Sequence, residues 1–167
     1  QALAISTDVS DPAQVDHLLV LTMRAFGRVD ILVNNAALIH PLGKVWETAP
    51  NAWQKLIAVN LLGPYLCARA VLPHMIERDT GIIINMDGGG CAGGPNVGGS
   101  AYGSSKAAIV RFSEGLAREL DQIGSSVLVF CMNPGFVRTA MTEHLISTPQ
   151  KKAWQPHVSR LMGSDQE

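Results

Sequence analysis

Apolar positions along this chain follow two rhythms that take turns. Val15, Leu18, Leu19 and Met23 recur at helical spacing between a capping start at Ser10-Asp11-Pro12 and a stop at Gly27. A short β-compatible run, residues 2–7, comes before them and ends in Asp8-Val9. Residues 29–33 are apolar apart from Asp30 and read as a strand. The pattern then predicts a long helix over 53–75, a strand over 81–86, a helix over 101–120 and a strand over 126–131. Strands that are apolar on both sides need cover on both faces. The expectation is therefore an α/β fold built on a doubly wound parallel sheet.

Composition narrows the function classes. Thirteen Lys+Arg stand against 14 Asp+Glu, a net charge of -1, which leaves no electrostatic footprint for nucleic acid or an anionic membrane. Apolar residues make up 47% and charged residues 16% of the 167, enough for a real core and too apolar for disorder. Cys67, Cys91 and Cys131 form no C-x-x-C pair and read as buried thiols in a reducing compartment. The five histidines show no i, i+4 pair, so no metal site is expected. Asn60, Gly63, Pro64 and Arg69 interrupt the longest apolar run, and Gln1 opens no signal peptide; a cytoplasmic protein is the expectation.

Chemistry in such sheets gathers beyond the carboxyl ends of the strands. Polar clusters stand at those places: Asp8, Asn34-Asn35, Asp87-Gly88-Gly89-Gly90 and Asn133-Pro134-Gly135. Four in register suggest a long ligand lying across the edge. Tyr102 and Lys106 are four apart near a helix start and share a face. An ammonium near a phenol favours the phenolate and suits it to acid/base work. Alone, Y-x-x-x-K also describes an exposed helix pair. Pro64 has no N–H to offer the Asn60 carbonyl four residues earlier, which predicts a kink that can hold a water.

Taken in order, Asp8-Val9, Asn34-Asn35-Ala36, Asn60, Tyr102-Gly103-Ser104-Ser105-Lys106 and Pro134-Gly135-Phe136-Val137-Arg138-Thr139 resemble the short-chain dehydrogenase/reductase family over nearly the whole chain. That resemblance implies a Rossmann-like domain over 1–167 that binds NAD or NADP, with the preference not readable. It implies an oxidoreductase interconverting an alcohol and a ketone or aldehyde. Tyr102 would be the general acid/base, Lys106 would assist it and hold the nicotinamide ribose, and Asn60 would link the Lys to a water. Asp8 and Val9 would contact the adenine, Asn35 and Ala36 the adenosine ribose region. Val137 and Thr139, following Pro134-Gly135, would reach the carboxamide and phosphate end. The family also implies a small-molecule substrate and a homodimer or homotetramer paired through helices 53–75 and 101–120, where Gly103, Ala107 and Gly115 permit close approach. The alternative is an impaired member that serves as a binding or oligomeric scaffold.

Departures from the family pattern matter as well. Its Gly-rich phosphate loop precedes the region matched by Gln1, and its last helix and strand follow Glu167. The expectation is a fragment with weak dinucleotide binding and an open sheet edge. Gly88–Gly93 fits G-x-G-x-x-G but opens into Gly94-Pro95-Asn96 and not into a helix, so it reads as an active-site loop. Residues 140–156 read as an amphipathic substrate cover. Phe112, Leu116 and Leu120 read as core or subunit packing, and Glu114 with Arg118 as a solvated pair. Ser104 and Ser105 lack the G-x-S-x-G elbow of a hydrolase. The family's substrate-binding Ser, about thirteen residues before the Tyr, corresponds to Asp87, Gly88 or Gly89, none of them a Ser. Ser100 reads as a helix N-cap or a substitute donor. A slow or specialised enzyme is expected, with Gly88→Ser or Gly89→Ser raising kcat.

Overall fold

The computed structural model describes residues 2–88, 97–135 and 137–147, and three parallel strands lie at its centre. In chain order the elements are α1 (Pro12–Phe26), β1 (Ile31–Asn34), α2 (Pro50–Ile57), a π-helical turn (Ala58–Leu62), α3 (Gly63–Glu77), β2 (Ile82–Met86), α4 (Ser100–Gln122), β3 (Leu128–Met132) and α5 (Ala140–Ser147). Strand order is β1-β2-β3, with Ile31, Ile82 and Leu128 side by side. Each crossover carries a helix, as parallel pairing requires.

Local chemistry sets the α1 boundaries close to expectation. The Asp11 carboxylate accepts from the Ala13 and Gln14 amides, Pro12 fills the first turn, and Gly27 ends the helix at φ 79°. The run 2–7, expected as a strand, has no ladder partner among the described residues and stays irregular. Strand geometry is a property of pairs, which apolar patterning alone does not supply.

The core joins Val71 and Met75 of α3, Ile83 of β2, Leu116 and Leu120 of α4, and Val127. Val15 of α1 packs with Leu66, Cys67 and Ala70 of α3, and Leu19 and Leu32 border both clusters. Burial pushes the Cys67 thiol up. Gly81 sits where a Cβ would fall 2.6 Å from Met75 Sδ, so the turn into β2 closes tightly on α3. The stretch Pro50–Glu77 is long and apolar enough by length and composition to cross a membrane, which the sequence reading did not expect. Half of its most apolar window is buried in this fold, against β1 and α4.

Side chains alternate across the strands. Leu32, Ile83 and Val129 face α1, α3 and α4. Ile31, Val33, Leu128, Phe130 and Met132 face the other way and are exposed, Phe130 by 49%. No described element covers that second face. Cys131, expected to be buried, is exposed on β3, an outer strand of the described sheet. Glu114, expected to pair with Arg118, instead lies 2.8 Å from Arg111 one turn earlier.

Asp79, in the left-handed region at φ 50°, accepts from the Ser126 amide (2.7 Å) and hydroxyl (2.9 Å). It ties the turn before β2 to the approach to β3. Those two bonds hold its carboxyl below the usual carboxylate value of 3.8.

Two outcomes follow from this architecture. The 167-residue chain by itself should bind a hydrophobic-surface dye and associate, and Phe130→Lys should reduce both; a monomer that leaves the dye dark contradicts the open face. Asp79 carries a lowered value when folded, so its contribution is present above pH 3.8 and fades as pH falls through the lowered value. Urea unfolding of Asp79→Ala should show a stability deficit at neutral pH that closes in acid. A deficit constant with pH removes the carboxylate from the explanation.

Candidate active site

The carboxyl ends of β1, β2 and β3 open onto Asn35, Asp87-Gly88 and Asn133-Pro134-Gly135 along one edge. Across that edge α4 begins, capped by Gly99 and not by Ser100, which is its first residue; glycine's missing side chain leaves the cap to backbone alone. Tyr102 and Lys106 therefore fall in the first two turns of α4, above the end of β2. Lys106 is only 4% exposed, and its ammonium donates to the Met86 carbonyl at 2.7 Å. The same ammonium lies 5.6 Å from the centroid of the Tyr102 ring. A buried charge needs such a partner, so this contact fixes how far along the sheet α4 can sit.

Asn60 acts in a way the sequence only half reveals. Pro64 removes one helical donor, and the chain responds with a π-helical turn in which the Gly63 amide reaches back five residues to Ala58, where a kink was expected. Asn60 is 2% exposed, and its side chain holds both the amide (2.7 Å) and the carbonyl (2.8 Å) of Leu38 in the loop after β1. It also donates to Ser105 Oγ at 3.1 Å, and Ser105 in turn donates to the Tyr102 carbonyl at 2.7 Å. Asn60, Tyr102 and Lys106 are thus brought together. Ser105 is fully buried and committed to these bonds, which rules it out as a nucleophile.

A second polar chain was missed from sequence. Asn85, with no exposed surface, accepts from Asn34 Nδ2 and donates to Ser113 Oγ, each at 2.8 Å. The Ser113 hydroxyl in turn donates to the Ile109 carbonyl at 2.7 Å. The signals were an Asn inside the apolar run 82–86 and a Ser seven residues after Lys106 on the same helix face. This chain locks β1, β2 and α4 together one residue below the Met86 carbonyl.

The remaining candidates keep their places by local contacts. The Asp8 carboxylate accepts from the Ser10 hydroxyl (2.6 Å) and amide (2.9 Å), which hold it below the usual carboxylate range. Val9 lies against Gly63, where a Cβ would meet Val9 Cγ2 at 2.8 Å, so residues 8–9 sit beside the π-helical turn. Asn35 and Ala36 are exposed after β1; Pro134, Gly135, Val137 and Thr139 are exposed after β3. Gly135 turns at φ 72° with its amide on Asn133 Oδ1. Thr139 caps α5 through Thr142 and Glu143. Gly89, Cys91 and the rest of 89–96, with the cover beyond residue 147, lie outside the described residues. Gly88 is buried, and a Cβ there would land on the Tyr102 hydroxyl. The gain expected from Gly88→Ser therefore meets a steric obstacle.

Comparison with known proteins places these residues in context. The family model described as short chain dehydrogenase matches residues 1–150. A (2S)-((R)-hydroxy(phenyl)methyl)succinyl-CoA dehydrogenase subunit of Thauera aromatica is 36% identical over 151 residues, covering 90% of this chain and 59% of that protein. A 3-oxoacyl-(acyl-carrier-protein) reductase of Synechocystis is 35% identical over 150 residues, covering 89% and 59%. The chain spans about three fifths of the length of these relatives. A metagenomic short-chain oxidoreductase solved with NADP superposes with a TM-score of 0.74 at 36% identity, covering 84% of this chain and 61% of that one. The parallel, Rossmann-like α/β architecture is common to both.

The Asn34–Asn85–Ser113 chain yields a direct prediction. Asn85→Ala takes one bond each from half-buried Asn34 and buried Ser113 and opens a small cavity, costing about 2–4 kcal/mol in denaturant unfolding. A cost below about 1 kcal/mol would remove this chain from the account of how α4 is held.

Proposed function

Because the chain belongs to the short-chain dehydrogenase/reductase family, we propose that it contributes the catalytic half of an NAD(P)-dependent oxidoreductase that interconverts an alcohol and a ketone or aldehyde. The observation that carries this reading is the buried Lys106 ammonium, held on the Met86 carbonyl beside the Tyr102 ring. A buried cation next to a phenol favours the phenolate, and the phenol can then give a proton to, or take one from, a substrate oxygen. Hydride exchange with the substrate carbon is what the nicotinamide supplies when bound.

The roles divide along the sheet edge. Tyr102 is the acid/base. Lys106 supports it and presents its ammonium to the ribose hydroxyls. Asn60 holds the Leu38 loop and Ser105 in register with both. A dinucleotide lying along the edge would meet Asp8 and Val9, then Asn35 and Ala36, and then Pro134, Gly135, Val137 and Thr139. Exposure of Asn35, Ala36, Pro134, Gly135, Val137 and Thr139 supports this, since none of these side chains is packed away from the edge. Residues 1–167 are proposed as part of one such domain. Subunit pairing through helices 53–75 and 101–120 is supported by Gly103 and Gly115, which have open space where a Cβ would point.

Nicotinamide absorbance tests the proposal on the intact protein with NADH, NADPH and a panel of ketones and secondary alcohols. Turnover is expected with at least one pair, and Tyr102→Phe should reduce kcat by about 10²–10⁴. Absence of both turnover and NAD(P)H binding across the panel refutes the oxidoreductase reading.

A further inference from the structure

Gly88 is one of the positions where the family's substrate-binding Ser is expected, and its surroundings give the glycine there a physical meaning. Its φ lies outside the left-handed region, so backbone conformation does not demand a glycine there. Space does. A Cβ built on Gly88 would overlap the Tyr102 hydroxyl, with Tyr102 Cζ at 3.2 Å and Lys106 Cε at 3.5 Å. Nor is the backbone free to retreat. The Asp87 amide is bonded to the Met132 carbonyl at 2.9 Å, and two residues before Gly88 the Met86 carbonyl is bonded to Lys106 at 2.7 Å. Any side chain at 88 must therefore push the phenol.

We propose that Gly88 is a positioning residue: the space of its missing side chain is where the Tyr102 hydroxyl rests, and the placement of the phenol beside Lys106 depends on it. This rests on the acid/base reading of Tyr102. It also reverses the expectation that a serine at this position repairs a lost donor. The conflict lies at Cβ, before any hydroxyl is reached, so alanine and serine should act alike.

The test uses Gly88→Ala and Gly88→Ser in the intact protein, each alone and combined with Tyr102→Ala. Both single variants should lower the melting temperature, on the order of 5 °C, and Tyr102→Ala should abolish that loss. Near-ultraviolet titration read as the difference from Tyr102→Phe isolates the Tyr102 phenol from Tyr65 and any other tyrosine. In both Gly88 variants its ionisation should move to higher pH as it leaves the ammonium. Where turnover is measured, both should lose about tenfold to a hundredfold in kcat. A Gly88→Ser variant more active than wild type beside a neutral Gly88→Ala overturns the proposal in favour of the missing donor. Unchanged melting and phenol titration overturn it as well. If no carbonyl substrate is turned over by any form, the proposed function fails, while the melting cycle and the titration still decide this inference.

Discussion

Lys106, a charged residue only 4% exposed, imposes more on this structure than any other described group. Left unpaired, a buried charge costs several kcal/mol, a large share of a domain's net stability, so it is held on an acceptor. It finds the Met86 carbonyl, at the end of the central strand. That one bond requires α4 to cross the sheet edge at a fixed height, and the neighbouring polar groups enforce it. Asn85 and Ser113 pin α4 from below; Asn60 and Ser105 pin it from the side. The tyrosine one turn before the lysine is then held over Gly88 with little freedom. Since swapping a buried charge for an apolar side chain is often neutral or stabilising, the lysine is better explained by chemistry than by stability.

The two faces of the sheet complete this picture. On the helix side, apolar packing and the amide chains cooperate: Ile83 and Asn85 point the same way, one into the core and one into the polar lock. On the other side Ile31, Phe130 and Met132 meet no described element. Among the described residues, the functional edge is organised by the covered face.

Sequence patterning revealed the alternation of strands and helices, both caps of α1 and the Tyr102–Lys106 spacing, because each depends on neighbours a few residues apart. What it hid depends on distance. Asn85 meets Asn34 and Ser113, 51 and 28 residues away, and no local signal marks those partners. Pro64 announced a disturbance, but only the hydrogen-bond pattern shows that it takes the form of a π-helical turn. The run 2–7 had a strand's composition without a partner strand. Gly88 was legible as an absent hydroxyl and illegible as a space, since the tyrosine that fills it arrives from fourteen residues downstream.

The most direct test of the central claim, that Lys106 is buried for chemistry and not for stability, is a paired measurement on Lys106→Met in the intact protein. Its melting temperature should stay within a few degrees of wild type, because a similar apolar chain replaces a desolvated charge. Its turnover should fall by about 10² or more. A variant that unfolds readily yet retains wild-type turnover at low temperature would contradict the account.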